Sequence, residues 1–301
     1  MSSSRDRNDA DFAALHGLYE QLVTNHVPHC WPVDAQRFGE ALRNPPSVAR
    51  DGWNLTEHSV LVADDARGFI HVGLLTPPKV GDSPLGMILF LGYPRTQRSL
   101  GSELLVAGEE WILDHGVRHV ATVAPRCRYP FYGFPHCHLS DHLDHIQALL
   151  QAHSYSNCGG EIFLDWLEMQ PTPKPPPPEI ECDISVEEVV SHCHLPGLKV
   201  QAHLDGKPIA TCLLINGGEG ARCPEAEAFA FCDWIGVQEP WQGKGLGRHL
   251  LWRALTEARN VGYRHAAIST STDNHRAFTF YSHYGFHAVD RTYQFERHLD
   301  Q

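Results

Sequence analysis

The sequence predicts an α/β (α+β) protein built as two tandem domains, each a mixed, mostly antiparallel central sheet flanked by helices. Three observations carry this expectation. The chain has 301 residues, enough for two ordinary domains that each bury a core. The run Pro171-Thr-Pro-Lys-Pro-Pro-Pro-Pro178 divides it, and such a run forms neither a helix nor a central strand. On either side of that run the sequence repeats itself in order.

At an offset of 146 residues, Pro240 falls on Pro94, Leu246-Gly247 on Leu100-Gly101 and Leu250-Leu251 on Leu104-Leu105. Still without a gap, Gly262-Tyr-Arg-His265 falls on Gly116-Val-Arg-His119. Tyr281-Ser-His-Tyr-Gly-Phe286 then meets Tyr129-Pro-Phe-Tyr-Gly-Phe134 at an offset of 152, so the first copy is six residues shorter before its final Tyr-Gly-Phe. The expected organisation is a first domain over 1–170, a stiff extended linker over 171–178 and a second domain over 179–301.

The elements follow in order. In the first copy, 11–25 and 34–42 read as helices, with Asp9 or Asp11 as caps. Segments 58–63 and 68–75 read as paired strands joined by a turn at 64–67. A strand over 86–91, a helix over 99–114 and a strand over 119–124 form the repeated core, 139–153 reads as an amphipathic helix, and 161–166 closes the sheet. The second copy opens with a short helix over 186–190 and strands over 199–204 and 208–215. It lacks the full pair of leading helices.

Composition narrows the function. With 42% hydrophobic and 20% charged residues the chain is globular. No apolar run approaches the roughly 18 residues of a membrane span, and the N-terminus lacks the apolar core of a signal peptide; the expected location is cytoplasmic. Nine scattered cysteines without C-x-x-C spacing exclude a disulfide framework or zinc ribbon. A formal charge of −12 argues against nucleic acid and is consistent with a cationic amine substrate. Twenty-one histidines include the cluster His136, His138, His142 and His145, and His26 with His29 around Cys30. Histidine abundance alone produces such groups, so no metal is expected.

The most informative local feature is Gln242-Gly243-Lys244-Gly245-Leu246-Gly247. It follows the apolar strand Phe229-Ala-Phe-Cys-Asp-Trp-Ile-Gly-Val237 and precedes a helical pattern that begins at Arg248. A strand feeding a glycine turn that opens a helix offers backbone N–H groups and a positive dipole end to an anion. Gly245 and Gly247 allow close approach, and Lys244 adds a charge. Neither the Walker pattern nor the dinucleotide G-x-G-x-x-G fits. The pattern that fits is Q/R-x-x-G-x-G/A. Downstream, Asn274-His-Arg-Ala-Phe-Thr-Phe-Tyr281-Ser-His-Tyr-Gly285-Phe286 matches N-x-x-A-x-x-F-Y-x-x-x-G-F.

Both motifs, in this order, resemble those of the GNAT acetyltransferases over about residues 198–298, and the tandem arrangement resembles that of mycothiol synthase. The resemblance implies acetyl-CoA as co-substrate, with its diphosphate on residues 242–247 and Arg248. It implies that backbone around Ile235 and Val237 pairs with the pantetheine arm and that the Val237 amide polarises the thioester carbonyl. Tyr281 matches the family's general acid for the departing thiolate, and Asn274 matches the residue that holds the pantetheine or adenylate arm, its alternative being a helix cap. Asp233 lies where several members carry an acidic residue. By period-two alternation it shares a face with Ile235 and Val237, opposite Cys232. It is the candidate base, the alternative being a carboxylate that orients the acceptor or satisfies nearby backbone.

The first copy departs from the pattern. Gln242 aligns with Thr96, Gly245 with Ser99 and Asp233 with Met87; Gly101 and Tyr129 survive, and Asn274 has no counterpart. This copy is expected to be silent, although Arg95 and Arg98 could still meet phosphates. The expectation is an acetyl-CoA-dependent N-acetyltransferase acting on a small-molecule or peptide amine by direct attack in a ternary complex. The alternatives are a non-catalytic acyl-CoA-binding sensor or scaffold, and an acyltransferase using a hydroxyl acceptor or a longer acyl donor. Acceptor identity and oligomeric state are not legible in the sequence.

Overall fold

A computed structural model describes residues 9–47, 52–63, 66–79, 81–123, 128–171 and 173–299. In the first half, α1 (Asp9–Tyr19) passes into a π-helical turn at Glu20–Thr24, and α2 (Ala35–Arg43) follows. Asp34 caps α2, its carboxylate accepting from the Arg37 N–H at 2.8 Å. α1 starts at Asp9 itself, and the residue before it lies outside the described ones.

Strands β1 (Asn54–Val62), β2 (Phe69–Thr76) and β3 (Leu85–Gly92) pair antiparallel. Residues 64 and 65 of the expected turn lie outside the described residues, as does Ala124. Helix α3 (Arg98–Asp114) carries the chain to β4 (His119–Thr122), which pairs parallel with β3. A parallel pair needs such a crossover. Every residue of β3 is buried, which makes it a central strand. The expected helix over 139–153 resolves into a short strand β5 (Leu139–Ser140), a 3₁₀ turn at Asp141–Leu143 and α4 (Asp144–Ala152). Ser140 breaks the pattern, its hydroxyl accepting from the His142 N–H at 3.1 Å. The helices and sheet of this half enclose an aromatic core in which Tyr19 meets Phe38, Phe90 and Phe131 at 5.2–5.5 Å.

After β6 (Ser156–Trp166) come β7 (Asp183–Val189), β8 (Gly197–Leu204) and β9 (Lys207–Asn216), all antiparallel neighbours. The helix expected over 186–190 is therefore strand. Ile184, Val186 and Val189 are β-branched, and Val186 pairs with Val200. The two glutamates that read as helical instead charge an exposed strand, Glu187 pairing with Lys199 at 3.7 Å. Two single-turn helices, α5 (Gly218–Ala221) and α6 (Pro224–Glu227), precede β10 (Phe229–Val237). Then come α7 (Leu246–Val261), β11 (His265–Ser271), α8 (His275–Tyr284) and β12 (His287–His298). Leu246, Leu250, Leu251, Ala254, Leu255 and Ala258 form the buried stripe of α7. Gly262 ends it in the left-handed region at φ 118°.

Contacts divide the chain into two units, Met1–Glu161 with Asp290–Gln301, and Ile162–Val289. These are not the contiguous segments expected on either side of the proline run. β6 begins in the first unit and ends in the second, while β12 does the reverse. Within the first unit, β12 pairs antiparallel with β4 over Phe295–His298, and Thr292 pairs with Ser140 of β5. The backbone approach there is close, for a Cβ at Gly160 would overlap the Thr292 carbonyl. Gly160→Ala is expected to cost about 1–3 kcal/mol. Gly17→Ala, with open space at a helical glycine, should be neutral or slightly stabilising. Urea midpoints of the two variants check the contrast.

Candidate active site

β10 and β11 run together only briefly. Their parallel pairing covers Phe229–Cys232 against His265–Ile268, whereas β10 stays paired with β9 as far as Val237. Beyond Cys232 that edge of β10 carries no ladder to β11. Trp234, Ile235, Gly236 and Val237 there line a cavity of about 1020 Å³.

The ladder between β10 and β9 shifts between Cys232 and Trp234, so Asp233 is the extra residue of a bulge. Ile235 and Val237 pack against the core cluster that contains Cys232. The face expected from simple alternation is thus corrected: an inserted residue puts Cys232, not Asp233, in register with Ile235 and Val237. Asp233 is half-buried and is not among the cavity-lining residues.

At the end of β10 the glycine turn forms one end of the cavity. Gln242 braces it, donating from its amide to the Val237 carbonyl at 3.0 Å. Gly243 and Gly245 sit at φ 79° and 83°, a region that costs side-chain-bearing residues strain. Gly245 is the N-cap of α7 and no side chain caps the helix, so its first-turn N–H groups have no side-chain acceptor. A Cβ at Gly247 would meet Val237 Cγ2 at 3.6 Å, ordinary contact. Lys244 holds its ammonium 5.0 Å from the Trp241 ring centroid.

Helix α8 forms the opposite wall through Arg276, Ala277, Phe280, Tyr281 and Tyr284. Asn274 also lines the cavity and caps α8, its side-chain oxygen accepting from the Ala277 N–H at 3.1 Å. Tyr281 is 6% exposed, between the rings of Phe280 at 5.4 Å and Phe286 at 6.3 Å. Burial pushes the Tyr284 phenol up to about 12, with Arg248 pulling the other way.

The proline run supplies the remaining wall. Pro176, Pro177 and Glu179 line the cavity, the Glu179 N–H donates to the Lys244 carbonyl at 3.1 Å, and Pro178 lies beside Gly245. The segment expected to be a linker is packed into the second unit, because its imide backbone needs no ladder partner and can lie flat along a helix terminus. Arg276 and Trp234 were missed among the lining residues; Arg276 lies inside the recognised motif and could have been found there. Lys244, Arg248 and Arg276 face a single lining carboxylate, Glu179, in a chain of net charge −12. This local reversal of sign suits a polyanion. The positive-φ glycines, the uncapped helix start and the three cations together fit a coenzyme diphosphate.

The same position in the first copy is closed. A Cβ at Gly101 would lie 2.6 Å from the ring of Tyr93, so that ring already fills the space against the start of α3. Arg95 pairs with Asp144 at 2.5 Å. Tyr129 is 1% exposed, its hydroxyl 2.9 Å from His71 Nδ1.

The histidine cluster disperses. His145 packs on Tyr93 with ring centroids 5.0 Å apart, and His142 sits beside Asp141. Among the described residues the group with ligand-like spacing is Asp141, His142 and Asp290, whose ligand atoms lie within 4.8 Å of one another. Asp290, distant in sequence, was invisible to spacing rules; it accepts from the Ser140 hydroxyl at 2.9 Å. The described cysteines are free thiols, and no described helix is long and apolar enough to cross a membrane.

The chain is similar in fold to a GCN5-related N-acetyltransferase from Sphaerobacter thermophilus, with 18% identity over 100% of this chain and 96% of that one, at a TM-score of 0.63. It is also similar to a tandem GNAT protein from the clavulanic acid biosynthesis pathway, with 16% identity over 98% and 97% of the two chains, at 0.66. A glucosamine N-acetyltransferase region of a fungal multi-domain GH3 β-N-acetylglucosaminidase aligns at 13% identity over 98% of this chain and 38% of that one, at 0.65. No curated protein matches in sequence. The fold is thus the tandem GNAT fold, each unit a mixed, mostly antiparallel sheet with flanking helices. Residues 162–286 match the acetyltransferase (GNAT) family. Residues 162–286 are thus a GNAT acetyltransferase domain, and the whole chain shares the fold of tandem GNAT proteins.

Proposed function

We propose that the protein transfers an acetyl group from acetyl-CoA to an amine of a small molecule or peptide, with the chemistry in the C-terminal unit. The observation that carries this is one cavity bounded by the unpaired edge of β10, the uncapped glycine start of α7 and Tyr281 on α8. GNAT enzymes generally use acetyl-CoA, which supplies the activated acyl thioester.

The residues divide the work. Backbone N–H groups of 243–248, with Lys244 and Arg248, hold the diphosphate. The free edge of β10 at Ile235 and Val237 holds the arm and presents the Val237 N–H to the carbonyl oxygen. The acceptor nitrogen attacks the carbonyl carbon directly, the C–S bond breaks, and the Tyr281 hydroxyl supplies the proton to the leaving sulfur. Asp233, set back in the bulge, takes the amine proton through water. The first unit, with Tyr93 on Gly101, is a silent scaffold. The setting is cytoplasmic, where thiols stay reduced.

Calorimetric titration of acetyl-CoA into wild type and Gly245→Val tests the donor site. One site is expected in wild type. The variant should bind about a hundredfold more weakly, because one or two charge-assisted backbone bonds at about 1.5–3 kcal/mol each are lost. Full affinity in the variant would move the donor away from α7. Thiol release across a panel of amines and alcohols then tests the acceptor: release with alcohols alone, or with neither, overturns amine transfer.

A further inference from the structure

Trp234 stands apart on the wall of the large cavity. Its side chain is 62% exposed, in a strand that is buried from Phe229 to Cys232. The exposure has a cause in the two faces of the strand. Ile235 and Val237 pack with Leu246 and Leu250 of α7, and a Cβ at Gly247 would meet Val237 Cγ2 at 3.6 Å. Trp234 and Gly236 therefore share the other face. The indole leans along the strand over Gly236, where a Cβ would lie 3.0 Å from Trp234 Nε1.

The first copy treats the equivalent position differently. At the offset of 146 residues Gly236 falls on Phe90. Phe90 is 1% exposed, with the ring of Tyr19 at the end of α1 5.4 Å away. The second unit enters its sheet through β7 and β8, and among its described residues no helix precedes them. Both copies thus place a ring at this point of the strand, but in the second it is an indole with its surface open. It lies beside Val237, whose N–H meets the thioester carbonyl in the reaction proposed above. On the opposite wall α8 presents Phe280, with Tyr281 at 5.4 Å and Tyr284 at 5.2 Å between ring centroids. Charge narrows the choice further. One lining carboxylate, Glu179, stands against Lys244, Arg248 and Arg276, a balance that repels an acceptor bearing several ammonium groups. An open indole beside an uncharged aromatic wall instead takes a flat apolar ring.

We infer that Trp234 is the platform for the acceptor and that the acceptor is an arylalkyl monoamine. Its ring stacks on the indole, and its single amino group reaches the carbonyl carbon beside Val237. Trp234 is then a specificity residue, selecting a flat body over a saturated one, while the cationic lining rejects polyamines. This names the acceptor class of the proposed reaction and rests on the reading of the C-terminal unit as the donor site.

The test measures thiol release from acetyl-CoA with 2-phenylethylamine, 2-cyclohexylethylamine and spermidine, for wild type, Trp234→Phe and Trp234→Leu. The first two amines match in carbon count and charge, so the ratio of their kcat/KM values isolates the flat face. Wild type is expected to favour the phenyl compound by about fivefold, the worth of one aromatic pair beyond the area it covers, and to turn over spermidine least. Trp234→Leu should bring the ratio to about one, and Trp234→Phe should keep most of it. The exposed position makes the urea midpoints of both variants match wild type. A ratio near one in wild type, a ratio unchanged in Trp234→Leu, or spermidine as the best acceptor overturns the aryl platform. So does the absence of turnover with all three amines in wild type that binds acetyl-CoA by calorimetry, and the donor site then stands. Failure of wild type to bind acetyl-CoA overturns the donor reading, and this inference with it.

Discussion

Tyr281→Phe is expected to lower kcat about a hundredfold or more, the worth of a positioned general acid, with little change in the KM for the acyl donor. The substitution is conservative for packing. Tyr281 lies in the core of the second unit between Phe280 and Phe286, and phenylalanine keeps the ring in both contacts. The hydroxyl alone is lost, on a wall that faces the cavity. Thermal unfolding should therefore barely move while turnover collapses. A further readout separates proton donation from simple positioning: with a donor whose leaving thiol is more acidic, the sulfur needs less help and the defect should shrink. A variant as active as wild type, or a defect indifferent to the leaving group, would sink the acid assignment.

Stability should fall steeply in acid, and His71 should be a main cause. The side chain is fully buried, with Nδ1 2.9 Å from the Tyr129 hydroxyl and Nε2 3.1 Å from His58 Nδ1. Burial, and then the neighbouring His58, lower its pKa to about 3. An unfolded histidine titrates near 6.5, at about the level of a free side chain. The folded state thus refuses a proton that the unfolded state takes up. The contribution is fully present above about pH 6.5 and is lost as pH falls toward 3, at up to about 1.4 kcal/mol per pH unit. His58, also lowered by burial, acts in the same direction. Urea unfolding at pH 7, 5.5 and 4 measures the slope. His71→Gln should start less stable at pH 7, because the Tyr129 contact is altered, yet show a shallower acid slope. An unchanged slope would mean that other groups carry the acid sensitivity.

Local features of this molecule were legible in the sequence, and features set by distant segments were not. The glycine turn could be read because a strand, a turn and a helix start occupy consecutive residues, and the positive φ of Gly243 and Gly245 follows from the turn itself. The repeat exposed the two-copy architecture for the same reason. Asp233 was misplaced because alternation assumes two residues per repeat, and the bulge adds one that only the β9 partner reveals. The strand Asp183–Val189 was taken for a helix in part, since its pairing with β8 overrides the helical preference of two adjacent glutamates. Tyr93 filling the first copy's turn depends on how its ring crosses Gly101, which alignment of the copies does not show. The proline segment could be read as backbone that cannot join a sheet, but not as a neighbour of the glycine turn, because composition says nothing of what it packs against.

The division of the chain at β6 and β12 has a consequence for the order of folding during synthesis. Residues Ile162–Val289 form an unbroken stretch, so the second unit has all its parts as soon as they leave the ribosome. The first unit, although translated earlier, must wait for Asp290–Gln301 to lay Phe295–His298 along β4. Until then the open edge of β4 is exposed to any extended chain nearby. The half of the molecule made first is therefore completed last, and its waiting time is set by the translation of the half that holds the cavity.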